Sequence, residues 1–272
     1  MDEKFSVLIS VYCKEKPRYL YDSLKSIFEQ NLPPDEVVLV KDGPLTEELD
    51  AVIEQFCTEY SIIKVISLPE NRGTALALNK GLDYCSHELI ARMDSDDIAK
   101  PERFKKQLEV FKNNPDIDVV SAWIDEFEKD ATNVVSTKKI PEYHEEIVRF
   151  ARERDPVNHP VVMFKKQSVL DAGGYFHLSL IEDYYLWVRM ILNGAKFYNI
   201  QESLLLFRSS LAMFRRRGGY KYAMNEFRLE KKFLQLKFIS FGEFLRNVSI
   251  RFVVRIIPNK LRAFIYKKLL RK

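Results

Sequence analysis

Three carboxylates crowd into four positions at Asp94-Ser95-Asp96-Asp97, directly after the apolar-led run Leu89-Ile90-Ala91-Arg92-Met93. Acids packed this closely repel one another unless a positive charge sits among them. A hard divalent cation answers that need, because Mg²⁺ and Mn²⁺ prefer carboxylate oxygen and share sites with phosphates. The alternative is a solvated acidic turn whose aspartates only cap a helix. A second acidic pair, Glu182-Asp183, heads a strongly helical stretch, Tyr185 to Leu192, that stops at Asn193-Gly194. Acids favour a helix's first turn, so this pair reads as a cap or as a base. His159, between Asn158 and Pro160, reads as a ligand to phosphate or acceptor, or as a loop residue satisfied by backbone. Trp187 lies four residues after Asp183 and on its helical face, suited to stacking on a sugar ring or to anchoring a core.

These residues need elements to carry them. Phe5–Tyr12, Glu36–Val40, Ile62–Ile66 and Leu89–Met93 are short, continuous apolar runs, as buried parallel strands require. Helical spacing of apolar residues separates them, through Leu20, Leu24, Ile27 and Phe28, then Leu49, Val52, Ile53 and Phe56, then Ala75, Leu76, Leu78 and Leu82. Four strand-then-helix units predict an α/β fold with a mostly parallel central sheet and helices on both faces. In such sheets ligands bind beyond the carboxyl ends of the strands. Tyr12, Asp42, the turn Asn71-Arg72-Gly73 and the acid cluster all fall on that edge, which favours the metal reading. The later chain predicts a helix over 101–111, a strand over 117–123, a hairpin or loop over 125–143, a helix over 145–152, a strand over 161–164 and a strand over 197–207. From Tyr220 onward the pattern is helical, with a break near Pro258.

Bulk properties narrow the class. The chain has 272 residues, 46% hydrophobic and 30% charged, enough for a large buried core. Three widely spaced cysteines build neither a disulfide framework nor a zinc site, and point to a reducing compartment. The charged start Met1-Asp2-Glu3-Lys4 is not a signal peptide, and no apolar run approaches the roughly 20 residues of a spanning helix. Neither dinucleotide nor P-loop glycine fingerprints occur. The net charge of +4 is uneven: no Asp or Glu follows Glu243, while Arg246, Arg251, Arg255, Lys260, Arg262, Lys267, Lys268, Arg271 and Lys272 do. Apolar stripes run through this tail at Phe252, Val253, Ile256 and Ile257 and at Leu261, Phe264, Ile265 and Leu269. A basic amphipathic helix of this kind lies on an anionic membrane, each basic residue contributing on the order of 1 kcal/mol, or packs on the protein itself. Nucleic acid is disfavoured, because no recognition motif accompanies the charge.

Ser10-Val11-Tyr12, Lys41-Asp42-Gly43, Asn71-Arg72-Gly73, Asp94-Ser95-Asp96-Asp97, Asn158-His159-Pro160 and Glu182-Asp183-Tyr184-Tyr185-Leu186-Trp187 occur in one order. In that ordered set, over roughly residues 4–215, the chain resembles the family 2 glycosyltransferases with the GT-A fold. It is most similar to the bacterial enzymes of O-antigen, capsule and exopolysaccharide synthesis. The resemblance implies inverting, metal-dependent transfer of one sugar from a nucleotide diphosphate sugar, a UDP-sugar foremost, to a glycan or lipid-linked acceptor at the cytoplasmic face of the membrane, with Mn²⁺ or Mg²⁺ as cofactor. It implies that Val11 and Tyr12 line the nucleotide pocket, that Asp42 reads the base, and that Arg72 lies near the nucleotide. Asp94, Ser95 and Asp96 hold the sugar-nucleotide, with Asp96 and Asp94 as metal ligands and Asp97 assisting. Asp183 is the implied catalytic base, with Glu182, His159, Trp187 and Arg217 toward acceptor or phosphate. Lys41 departs from the family's usual Asp-Asp-Gly. The Gln-x-x-Arg-Trp motif of processive members is absent. The expected organisation is a catalytic domain over 1–215, with a donor half to about residue 100 and an acceptor half after it, and a basic helical extension over 216–272. The competing functions are a sugar nucleotidyltransferase, which would carry a glycine-rich basic loop where Val11-Tyr12-Cys13-Lys14-Glu15 stands, and a non-catalytic sugar-binding subunit.

Overall fold

The computed structural model describes residues 4–178, 181–209 and 219–256. The donor half alternates strand and helix: β1 (Phe5–Val11), α1 (Pro17–Phe28), β2 (Glu36–Lys41), α2 (Glu47–Glu59), β3 (Ile63–Ser67), α3 (Thr74–Tyr84) and β4 (Leu89–Asp94). β1, β2 and β4 are buried along nearly their whole length, which is why their sequences lack apolar–polar alternation. Pro17 starts α1 where its missing N–H costs nothing, and Thr46 caps α2 by accepting from the Leu49 amide. β3, β2, β1 and β4 lie side by side in parallel, with Ser10 level with both Val40 and Asp94. Tyr12, Asp42 and Ser95 therefore leave the sheet at one edge.

The second half comprises β5 (Ile98–Ala99), α4 (Arg103–Asn113), β6 (Val119–Phe127), β7 (Val134–Lys138), α5 (His144–Phe150), a 3₁₀ turn (His159–Val161), β8 (Met163–Lys165), α6 (Lys166–Asp171), α7 (Glu182–Leu192) and β9 (Phe197–Arg208). The sheet continues in the order β4-β8-β6-β9-β5, with β7 on the flank of β6. Parallel pairing, complete in the donor half, recurs here only between β6 and β9 among the described residues; β8 runs antiparallel to both its neighbours. One apolar core lies between the sheet and α1, α2 and α4, the other between the sheet and α3, α6 and α7.

One open alternative is decided and two local expectations are corrected. The region 125–143 is a hairpin: β6 runs on to Phe127 because Asp125 is matched by Lys100 at 2.7 Å and by Thr137. His159–Val161 is a 3₁₀ turn, and the strand starts only at Met163, since Pro160 has no N–H to give a ladder. The C-terminal helix breaks well before Pro258, which lies outside the described residues. α8 (Tyr220–Gln235) ends where Lys237 takes a φ of 57°, and α9 (Phe241–Ile256) opens with Ser240 and Glu243 bonding each other's backbone amides. That Ser-x-x-Glu pair is a capping box legible in the sequence.

α8 and α9 dock on α7 through Tyr184, Val188, Leu229, Phe233 and Phe238. Arg251 is consequently no free surface cation: its guanidinium lies 3.2 Å from Glu226 and 3.1 Å from Glu230, and donates to the Glu153 carbonyl. Arg246 pairs with Glu153 at 3.0 Å. No described helix is long and apolar enough to cross a membrane.

Candidate functional site

The acid cluster forms the turn between β4 and β5. The Asp94 carboxylate meets Arg92, and its carbonyl accepts from the Ser23 hydroxyl at 2.8 Å. Ser95 donates to Glu15 at 2.8 Å. Asp97 is fully buried; one oxygen accepts from the Arg208 amide at 2.8 Å, and the other has no partner. Arg208 also donates through Nε to the Asp96 carbonyl at 2.9 Å, its guanidinium lying over the Tyr19 ring at 3.8 Å. Burial, then the charges of Asp94 and Glu15, push Asp96 up to about 7. Burial, then Asp96 and Asp94, push Asp97 well above the usual carboxylate range. Carboxylate oxygens of Asp94, Asp96 and Asp97 lie within 4.8 Å of one another. An all-oxygen donor set, mutual repulsion and an unpartnered buried oxygen together fit Mn²⁺ or Mg²⁺.

At the end of β2, Asp42 turns its carboxylate onto the neighbouring loop. Its two oxygens accept from the Arg72 and Gly73 amides at 2.8 and 3.0 Å, and its carbonyl accepts from Asn71 Nδ2 at 3.2 Å. Gly43 sits at φ +84°, where a Cβ would stand 2.5 Å from the Asn71 nitrogen, so the two loops touch through backbone. Arg72 brings its amide to this edge, while its exposed side chain pairs with Glu70 at 3.2 Å. Lys41 is held by Asp50 at 2.6 Å. Tyr12 is half-buried at the same edge. Val11 departs from expectation: its side chain belongs to the core and its carbonyl accepts from the Asp42 amide at 2.8 Å, leaving no side-chain contact for a nucleotide.

Asp183 stands in the first turn of α7, with Oδ1 accepting from the Tyr184 amide at 2.8 Å and Oδ2 3.8 Å from His159 Nδ1. Glu182, beside it, is half-buried. His159 Nε2 lies 3.1 Å from the Tyr175 hydroxyl, so both ring nitrogens face protein. Burial, then the Arg92 charge, hold His159 well below the usual imidazole range. The ring is buried and hydrogen-bonded to Tyr175 through Nε2, the arrangement of a histidine satisfied by the protein. Trp187 is likewise removed from sugar stacking: it is 0% exposed, packed among His159, Phe164 and Phe197. Arg217 lies outside the described residues.

Sequence reading missed Arg92, Tyr175 and Arg208. Burial drives the Tyr175 phenol up, Arg92 opposes this, and Asp183 and Asp94 both raise it further. Tyr175 is linked through His159 to the acid on α7. Its backbone is clamped at both ends by the Asn79 amide of α3, at 2.8 and 2.7 Å. A charged residue in a buried strand, as Arg92 is, was the one available signal, because such a charge requires a partner nearby.

Residues 6–173 match the family model for Glycosyl transferase family 2. Over 269 residues the chain is 39% identical to UDP-Gal:alpha-D-GlcNAc-diphosphoundecaprenol beta-1,3-galactosyltransferase of Escherichia coli, covering 99% of this chain and 97% of that protein. It is 38% identical to the amylovoran biosynthesis glycosyltransferase AmsE of Erwinia amylovora, covering 97% and 98%. Among solved structures, the mannosyltransferase PcManGT from Pyrobaculum calidifontis, in complex with GDP-Man and Mn²⁺, superposes with a TM-score of 0.67. That match covers 96% of this chain and 72% of that one at 16% identity, a likeness of fold.

Proposed function

The chain belongs to glycosyl transferase family 2, and from that premise we propose that it transfers one sugar from a UDP-sugar to a hydroxyl of a glycan carried on a lipid diphosphate, with inversion, in the synthesis of a bacterial surface polysaccharide. The near full-length relationship to a galactosyltransferase whose acceptor is a diphosphoundecaprenol-linked sugar supports the donor and acceptor classes. The observation that carries the chemistry is the Asp94–Asp97 turn, whose three carboxylates bring oxygens within 4.8 Å of one another at the carboxyl edge of the parallel strands.

Tyr12, Asp42 and the Asn71–Gly73 turn form the nucleotide end of the site. Asp96, with Asp94 and Asp97, would hold Mn²⁺ or Mg²⁺, which when bound offsets the negative charge of the diphosphate. Asp183 removes the acceptor proton as the acceptor oxygen bonds to the anomeric carbon and the bond from that carbon to the diphosphate oxygen breaks. A carboxylate suits this task because the hydroxyl is a poor nucleophile near neutral pH. Membership in the family sets aside the nucleotidyltransferase reading.

We place the enzyme on the inner face of the cell membrane. Exposed Phe241, Leu245 and Phe252, spaced four and seven apart on α9, lead into the basic residues Lys260, Arg262, Lys267, Lys268, Arg271 and Lys272.

The test is incubation with Mn²⁺, a panel of UDP-sugars and an N-acetylglucosaminyl-diphospholipid. Acceptor-dependent sugar transfer with release of UDP is expected. Asp183→Asn is expected to lower turnover by at least about 100-fold while binding UDP normally. No transfer from any donor overturns the proposed activity, and normal turnover by the variant overturns the role of Asp183.

A further inference from the structure

His159 and Tyr175 make a buried pair directly behind the Asp183 carboxylate. The pair is built from three separate parts of the fold. His159 opens the 3₁₀ turn, which Asn158 pins to β6: its amide donates to Ser121 Oγ at 3.1 Å and its side chain to the Ala122 carbonyl at 2.8 Å. Tyr175 follows Gly173-Gly174 and is gripped by Asn79 of α3. Gly174 lies at φ +70°, and a Cβ there would come within 2.7 Å of Asn79 Oδ1, so the grip itself requires glycine. Trp187, in the turn of α7 after Asp183, meets the imidazole edge-on with ring centroids 5.8 Å apart.

The placement of the proton on His159 follows from electrostatics. Nδ1 points at a carboxylate oxygen 3.8 Å away. A lone pair on Nδ1 would face that negative charge, whereas an N–H would be attracted to it. The Nδ1–H tautomer leaves Nε2 as an acceptor, and the Tyr175 hydroxyl 3.1 Å away then donates to it. Burial and Arg92 together keep the ring neutral, so Nε2 stays free to accept. The Asp183 carboxylate is then addressed at both oxygens: Oδ1 by the Tyr184 amide at 2.8 Å, Oδ2 by the imidazole N–H. A contact of 3.8 Å is longer than a hydrogen bond, as expected of a catalytic carboxylate before its substrate is bound.

We infer that His159, held in a single tautomer by Tyr175, is a positioning residue that fixes the plane of the Asp183 carboxylate, so that one lone pair of Oδ2 stays directed at the acceptor hydroxyl. The inference rests on the reading of Asp183 as the base. Its energetic content is orientation, where a misplacement of about 1 Å costs on the order of 100-fold in rate.

Two isosteric halves of imidazole separate this role from a structural one. The amide nitrogen of Asn can stand in for the Nδ1 donor, and the amide oxygen of Gln for the Nε2 acceptor. His159→Asn, which keeps a donor toward Asp183, is expected to hold kcat within about 10-fold of the parent. His159→Gln, which keeps only the contact with Tyr175, is expected to lose about 100-fold in kcat. In both variants the acceptor KM and the Kd for UDP with Mn²⁺, read by calorimetry, are expected to stay within about twofold, because substrate binding is not what the residue provides. Thermal melting of both variants checks that the buried site still folds. Equal losses in the two, a better Gln variant, or a weakened UDP affinity overturns the inference. Asp183→Asn run alongside keeps the premises apart: wild-type turnover there removes the base, whereas an inactive Asp183→Asn beside indistinguishable His159 variants removes only the role of His159.

Discussion

Glu36, at the start of β2, is a buried carboxylate whose environment works in the opposite direction to that of the acid cluster. Burial pushes its carboxyl up, but bonds from Lys64, Ser6 and Ser86 outweigh burial and bring it down to about 2 from the usual 4.5. A group held lower in the folded state than in the unfolded one stabilises the fold fully above its unfolded value. That stability is lost as pH falls through its folded value. Glu36→Gln is therefore expected to lose about 2–3 kcal/mol in urea unfolding at pH 7, with the gap between variant and parent closing as pH falls from 4.5 toward 2. Asp96 and Asp97 are pushed up by burial first and by neighbouring carboxylates after it. At this scale the sequence was legible wherever a residue's type limited its chemistry. Asp42, Asp94, Asp96 and Asp183 stand at strand ends and a helix start as expected. Val11 and Trp187 were ambiguous because an apolar side chain serves a ligand or a core equally well, and burial places both side chains in the core. Tyr175 gave no signal, since its partners Asn79 and His159 lie 96 and 16 residues away.

Among the elements, α7 carries Asp183 on one side and bears the weight of α8 and α9 on the other. Tyr184 lies between: its hydroxyl donates to the Ala151 carbonyl at 2.7 Å, its ring packs on Phe233 with centroids 4.9 Å apart, and Arg251 lies 5.7 Å from that ring. Arg251→Ala would remove the guanidinium that lies 3.2 Å from Glu226 and 3.1 Å from the fully buried Glu230. A loss of about 3–5 kcal/mol in urea unfolding is expected, with a fall in transfer rate as the footing of α7 loosens. A Tm unchanged from the parent's would refute this account. Element types were readable from periodicity through the donor half, where each helix shows one apolar stripe and each strand a continuous run. They were less readable where polar residues continue a strand, as in β6 past Trp123, because Lys100 and Thr137 match Asp125 only after the chain has folded. The break after α8 was visible in Ser240-x-x-Glu243, but an unbroken apolar period on both sides hid it.

For the molecule as a whole, the parallel half of the sheet and the shared edge of strand ends followed from sequence order alone. The antiparallel insertion of β8 between β4 and β6 did not, since it joins strands whose pairing no local pattern records. The membrane reading belongs to this scale too. Two of the tail's basic residues, Arg246 and Arg251, are spent on internal ion pairs, which shifts the proposed anchor toward residues 257–272. Deleting 257–272 is expected to lower co-sedimentation with vesicles rich in anionic lipid by at least about 10-fold, given on the order of 1 kcal/mol per basic residue. Undiminished sedimentation would refute the anchor.

The grip of Arg208 on Asp97, 111 residues back along the chain, also sets an order of events in biosynthesis. The four parallel strands of the donor half are complete once Asp94 has been made, yet among the described residues β5 pairs only with β9. A nascent chain ending before β9 thus carries the acids without the strand that β5 pairs with. Contacts of such long sequence separation form late in folding. The seating of the acid cluster is therefore a late event that waits on the acceptor half of the chain.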